Sequence, residues 1–308
     1  MLQTTIRHSI DCTGIGLHSG KTVTLRMRPA AADTGILFHV SGKQGVCTIS
    51  PTPEVVIATG LATTLGNEHC AVSTVEHLLA ALRGLEIDNV HIDIQGGEVP
   101  ILDGSARQFA LLIKDAGIEQ LHKPRRVLRV KAAHSTSKGD AFIMAEPYEG
   151  FMVDYTIHFP HKTIGTQRLK LEVTPESFAT VAYARTFGFL KDVEAMRAHK
   201  LALGGSLENA VVLDDTGVMN QDGLRSQDEF VRHKLLDFIG DMAMLPLPLQ
   251  GKFTVRCSGH ALNNQLLREL VAGKGTLLEE VTLHHKPLHR IVEHKRQPRA
   301  LHTAAASA

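Results

Sequence analysis

The sequence predicts an α+β fold in two similarly built domains, each with helices packed on sheet. Three observations carry that prediction. The order helix, strand, helix over residues 73–117 returns over residues 228–271, an echo of one supersecondary unit. The main helix of each copy has a wide apolar face that must be covered: Leu78, Leu79 and Leu82 in the first, Leu235, Leu236, Phe238, Ile239 and Met242 in the second. The chain has 308 residues, enough for two cores. A proline and a run of basic residues at 123–131 mark the junction as a solvated linker. Domains are therefore expected over 1–122 and 123–300, with a disordered tail at 301–308.

Residues 22–27 alternate as a strand, and 36–40 are the expected hairpin partner. The glycine-rich run 13–20 lacks both Rossmann and P-loop spacing and reads as a structural loop. Ser73 and Glu76 have capping-box spacing, with Gly84 just past the expected helix end. A strand at 89–94 and a helix at 106–116 complete the first half. Beyond the junction, strands are expected at 142–145 and 151–159. A βαβ element follows, with its helix at 191–200 and a strand at 210–213. Next come the 228–241 helix, a strand at 252–257 and a helix at 262–271. His284, His285, His289 and His294 lie on a surface segment fraying into the tail.

Composition narrows the function. Hydrophobic content of 43% and charged content of 21% are ordinary for a soluble protein, and a formal net charge of +1 argues against a general nucleic-acid binder. No apolar run resembles a signal peptide or spans a bilayer. The four cysteines have no CxxC spacing and read as reduced thiols, so the protein is expected in the cytoplasm.

Chemistry concentrates on the 228–241 helix. His233, Asp237 and Asp241 fall at i, i+4 and i+8 and share one stripe. A histidine and a carboxylate one turn apart can grip one metal ion, although a plain His–Asp hydrogen bond satisfies the same spacing. Glu76 and His77 are adjacent at the start of the other helix. The histidine can bind a metal while the carboxylate reaches a water beside it, or the carboxylate can simply satisfy a backbone N–H.

Four motifs in order carry a resemblance: Thr74-Val-Glu-His-Leu-Leu-Ala-Ala-Leu82, Ala184-Arg-Thr-Phe-Gly-Phe189, His233-Lys-Leu-Leu-Asp237 and Ser258-Gly-His-Ala-Leu-Asn-Asn264. From about residue 14 to 281 the chain resembles the zinc-dependent UDP-3-O-acyl-N-acetylglucosamine deacetylases of Gram-negative lipid A synthesis. The resemblance implies two sheet–helix–helix–sheet domains with the active site between them. It implies one Zn2+ per chain on His77, His233 and Asp237. Glu76 would act as general base and Thr186 as donor to the oxyanion. His260 would be the general acid or a cationic stabiliser, oriented by Asp241. Lys234 would meet the substrate diphosphate and Phe159 the uracil. An insert at about 187–213 would line the acyl-chain tunnel with Phe187, Leu190, Val193, Ala202 and Val212, and His18 would also touch substrate. The implied partner is a UDP-linked acylated glucosamine, and the implied state a monomer. Arg256 and Cys257 depart from the family pattern, which has a lysine and an aromatic there, and residues 138–142 match it poorly. Two other readings use the same residues: a metal amidase of another substrate, and a binding module with structural histidines.

Overall fold

A computed structural model describes residues 1–283 apart from 43, 44 and 68; the tail at 301–308 and His284, His285, His289 and His294 lie outside the described residues. The fold is α+β. Among the described residues there are six α-helices: α1 (Glu76–Gly84), α2 (Arg107–Ala116), α3 (Pro175–Ala182), α4 (Leu190–Ala198), α5 (Glu229–Met242) and α6 (His260–Ala272). None is long and apolar enough to cross a membrane.

A five-stranded sheet is built from the first half of the chain in the order Ile10–Ile15, Thr22–Pro29, Val90–Gln95, Ile36–Gly42, Gly45–Ile49. The expected hairpin between 22–27 and 36–40 does not form, because Val90–Gln95 lies between those strands, antiparallel to one and parallel to the other. Ile92 and Ile94 are buried in that central position. A seven-stranded sheet comes from residues 126–282, with Leu249–Arg256 bonded to Arg126–Val130, Ala141–Glu146 and Phe151–Phe159.

The junction is not a solvated linker. Ile118–Pro124 pairs with Leu2–Ile6, and Arg126–Val130 has already entered the larger sheet. Arg125 between them is buried, its guanidinium paired with Glu86 and Asp88 at 2.9 Å each. A basic run looks solvated in sequence; here its first arginine is the buried tie between two sheets.

α5 is buried along its whole length except at Arg232 and Lys234. It packs against α1, α3, α6 and the strand Phe151–Phe159. Phe238 meets Tyr155, Phe151 and Phe253 with ring centroids 5.6–6.5 Å apart, and each such buried side chain contributes roughly 1.5–3 kcal/mol. The crossing with α1 depends on Gly240: a Cβ there would lie 2.0 Å from the Glu76 carbonyl oxygen. Backbone thus meets backbone at the point where the catalytic candidates converge.

Phe187–Phe189 and Val211–Leu213 pair in parallel around α4, the βαβ element expected from the sequence. Its helix begins at Leu190 and ends at Ala198, and buries none of its residues completely. All four cysteines are free thiols, as expected.

Candidate active site

Each side chain of the site is delivered by a specific local feature. Thr74 takes a left-handed φ of 58° and anchors its hydroxyl on Glu98 Oε1 at 3.1 Å. The chain then turns into α1, and Glu76 and His77 are buried in its first turn. No capping box forms: residue 75 caps the helix with helical dihedrals and no side-chain bond. The Glu76 carboxylate instead accepts the backbone N–H of Thr63 at 3.1 Å, from a different segment. Gly84 is the last residue of α1 rather than the first beyond it.

On α5, the i, i+4 spacing sets His233 Nε2 3.3 Å from Asp237 Oδ1. From α1, His77 Nε2 reaches the same oxygen at 3.5 Å. Among the described residues, His77, His233 and Asp237 are the one group of three that could hold a metal ion, their ligand atoms all within 4.8 Å of one another. The donor set fits zinc. Two imidazole nitrogens and a carboxylate oxygen are three ligands, which leaves a fourth position for water or substrate. His233 Nδ1 lies 3.2 Å from the Ala184 carbonyl; donation to that oxygen frees Nε2 as a ligand. Burial lowers His233 to about 4 against the pull of Asp237, so the ring is neutral, as ligation requires. Burial works against charge on Asp237 too, but His233 and Lys234 outweigh it and hold its carboxyl well below the usual range. Lys234 Nζ bonds Asp237 Oδ2 at 2.7 Å.

One turn further along α5, Asp241 is completely buried and fully engaged. Oδ1 accepts from Thr63 Oγ1 at 2.9 Å, and Oδ2 accepts from Asn263 Nδ2 at 2.7 Å and lies 2.8 Å from His260 Nδ1. Burial opposes the His260 imidazolium, yet Asp241 more than compensates and lifts the ring to about 9. Glu76 faces the other edge of that ring, Oε1 to Nε2, at 4.0 Å. Burial raises the Glu76 carboxyl against His260 and His77.

These groups line or back a cavity of about 880 Å3. Its walls include His233, Lys234, Asp237, His260 and Thr186, and further out Phe159, Phe187, Leu190, Val193, Ala202, Val212 and His18. Glu76, His77 and Asp241 sit behind that lining, within bonding reach of it. Phe159 packs edge-on against Phe187, centroids 5.5 Å apart. His18 Nε2 is buried without a hydrogen-bond partner, and its Nδ1 accepts from the Ala202 N–H at 3.4 Å. Each residue to which the resemblance gives a site role thus lines this cavity or lies directly behind its wall.

Three participants were not singled out. Thr63 holds both Glu76 and Asp241, but a lone threonine in a loop gives no local signal. Asn263, tied to Asp241, lies inside the Ser258–Asn264 motif and could have been flagged there. Lys138 lines the cavity from the stretch that matches the family pattern poorly.

The model of the family described as LpxC, UDP-3-O-acyl N-acetylglycosamine deacetylase, matches residues 3–272. The chain belongs to this family. It is 58% identical over 283 residues to the UDP-3-O-acyl-N-acetylglucosamine deacetylase of Nitratidesulfovibrio vulgaris, covering 92% of each chain. Identity to the enzyme of that name from Oleidesulfovibrio alaskensis is 57% over 284 residues, 92% of this chain and 93% of that one. To the Lawsonia intracellularis enzyme it is 55% over 270 residues, 88% and 89% of the two chains. This deacetylase family is one of metalloenzymes, and the His77, His233 and Asp237 group is where its chemistry finds a metal-capable site in this chain.

Proposed function

We propose that the protein hydrolyses the N-acetyl group of a UDP-linked N-acetylglucosamine acylated at O3, releasing acetate and the free amine, the committed step of lipid A synthesis. One observation carries the reading: a buried His-His-Asp group, with a carboxylate and a histidine facing each other beside it, backs a cavity with apolar walls. Zinc held by His77, His233 and Asp237 would supply Lewis acidity, polarising the acetamide carbonyl and acidifying water. Glu76 takes the proton of the attacking water at its carboxylate. His260 Nε2 delivers a proton to the leaving nitrogen, since an amine anion is too poor a leaving group. Asp241 orients His260 through Nδ1 and stabilises its charge. Thr186 donates to the carbonyl oxygen as negative charge develops there.

The outer cavity takes the rest of the substrate. We assign Lys234 to the diphosphate, Phe159 to the uracil, and Phe187, Leu190, Val193, Ala202 and Val212 to the acyl chain. His18 Nε2, buried without a partner, supports a polar contact with substrate there. Two domains dividing near residue 122, one zinc per chain, a monomeric state and a cytoplasmic location belong to the same proposal. The test is incubation of the purified protein with the acylated UDP-sugar. Acetate and free amine in equal amounts are expected, and absence of both with zinc bound contradicts the proposal.

A further inference from the structure

The five-stranded sheet carries a pair of histidines that the proposed reaction does not use. His39 lies on Ile36–Gly42 and His91 on the adjacent parallel strand Val90–Gln95, where Leu37 is opposite His91 and His39 is opposite Asp93. Alternation along each strand puts both rings on the same face, as diagonal neighbours. His39 Nε2 lies 3.0 Å from His91 Nδ1, with ring centroids 5.1 Å apart. On the far side of the ring, His39 Nδ1 lies 3.1 Å from Thr48 Oγ1. Both rings are half-buried.

We propose that His39 and His91 form a second transition-metal site, a two-imidazole chelate that prefers Cu2+ or Ni2+ to Zn2+. Two metal–imidazole bonds of about 2.0–2.1 Å meeting at roughly 95° leave their nitrogens about 3.0 Å apart. The separation of His39 Nε2 and His91 Nδ1 matches that bite. Two imidazoles with the remaining positions left to water suit the square or octahedral geometries of Cu2+ and Ni2+, whereas protein zinc sites take three or four protein ligands in tetrahedral sets.

The protons balance without outside help. In the hydrogen-bonded pair one shared proton lies between Nε2 and Nδ1. Metal entry moves the His39 proton to Nδ1, where Thr48 Oγ1 accepts it, since a hydroxyl can serve as donor or acceptor. Both facing nitrogens then offer lone pairs to the metal, and Thr48 is the outer partner that fixes the His39 tautomer. Burial, with His39 and Arg28 nearby, lowers His91, which keeps its lone pair available at neutral pH. Arg28 adds little repulsion, because Asp93 neutralises it in a two-bond pair at 2.6 and 2.9 Å. Water completes the coordination on the open side.

The test uses the full chain with its catalytic metal in place. Ni2+, Cu2+ and Zn2+ are titrated by calorimetry into the wild-type protein and into His39→Ala and His91→Ala. One further equivalent of Ni2+ or Cu2+ is expected in the wild type, weakened at least about tenfold in either variant. Zn2+ is expected to bind there less tightly than Ni2+, and acetate release and the melting temperature before any metal is added should not change. Binding at histidines elsewhere, including those at 284–294, is insensitive to both substitutions; equal binding by all three proteins overturns the proposal. A second measurement needs no variant: substoichiometric Ni2+ or Cu2+ should broaden the His39 and His91 ring signals first. Broadening of other histidines alone also overturns it.

Discussion

Glu76 Oε1 and His260 Nε2 face each other across 4.0 Å, and each is fixed from behind, Glu76 by the Thr63 N–H and His260 by Asp241. The gap is too long for a strong hydrogen bond, so both facing atoms stay available for the water and the leaving nitrogen of the proposed reaction. Their environments differ: burial raises the proton affinity of the Glu76 carboxylate, as a base requires, while Asp241 holds the His260 ring as an imidazolium. A pair of that kind is how one site removes a proton and delivers another.

The His260–Asp241 contact makes the alkaline limb of the rate profile predictable. In the proposed reaction His260 acts while protonated, and its ring is lifted to about 9, so kcat should fall as pH rises through that value. Asp241→Asn removes the carboxylate that lifts the ring, and the limb should move to lower pH. The same contact stabilises the fold fully below the ring's ordinary value of 6.5, and that contribution is lost as pH rises through about 9. Rate profiles of the two proteins at saturating substrate check this; coincident alkaline limbs would remove His260 from the acid role.

Metal retention should depend on Asp237. The Asp237→Ala protein is expected to lose the stoichiometric metal on dialysis, because both histidines converge on that carboxylate. Elemental analysis after exhaustive dialysis reads the result. Wild-type metal content in the variant would place the ion elsewhere.

Gly240→Ala should destabilise the protein by about 1–3 kcal/mol or more, the usual cost of forcing extra volume into a packed contact. The added Cβ would meet the Glu76 carbonyl oxygen at 2.0 Å, and two backbones cannot yield as a side chain does. Urea unfolding measures the loss, and an unchanged midpoint contradicts so tight a crossing of α1 and α5.

Val193→Asp separates lipid contact from packing. α4 has no fully buried residue, so the substitution should leave the melting temperature near wild type. Turnover of long-chain substrate should nevertheless fall far more than that of a short-chain analogue, since each buried methylene is worth about 0.8 kcal/mol. Equal effects on both substrates would show that Val193 does not meet the acyl chain.

What the sequence made legible follows from range. The His233–Asp237 spacing is a property of one helix, and the βαβ element around α4 is local, so both were readable. The family motifs then gathered distant residues that periodicity alone could not connect. The hairpin failed because Val90–Gln95, some fifty residues on, takes the central place in the sheet. Glu76 resembled a cap because its spacing from Ser73 fits one, yet its partner is Thr63, outside that helix. Arg125 looked solvated because the two acids that bury it, Glu86 and Asp88, belong to another segment. Local chemistry showed in the sequence, and long-range pairing did not.

The most direct test of the whole account is turnover and metal content measured on one sample of Glu76→Ala. Glu76 touches the site through its carboxylate while His77, His233 and Asp237 remain intact. The account expects one metal per chain, as in the wild type, with kcat for acetate release lower by at least about 10²-fold, the usual scale for loss of a general base. Near wild-type acetate release with the metal bound would contradict it.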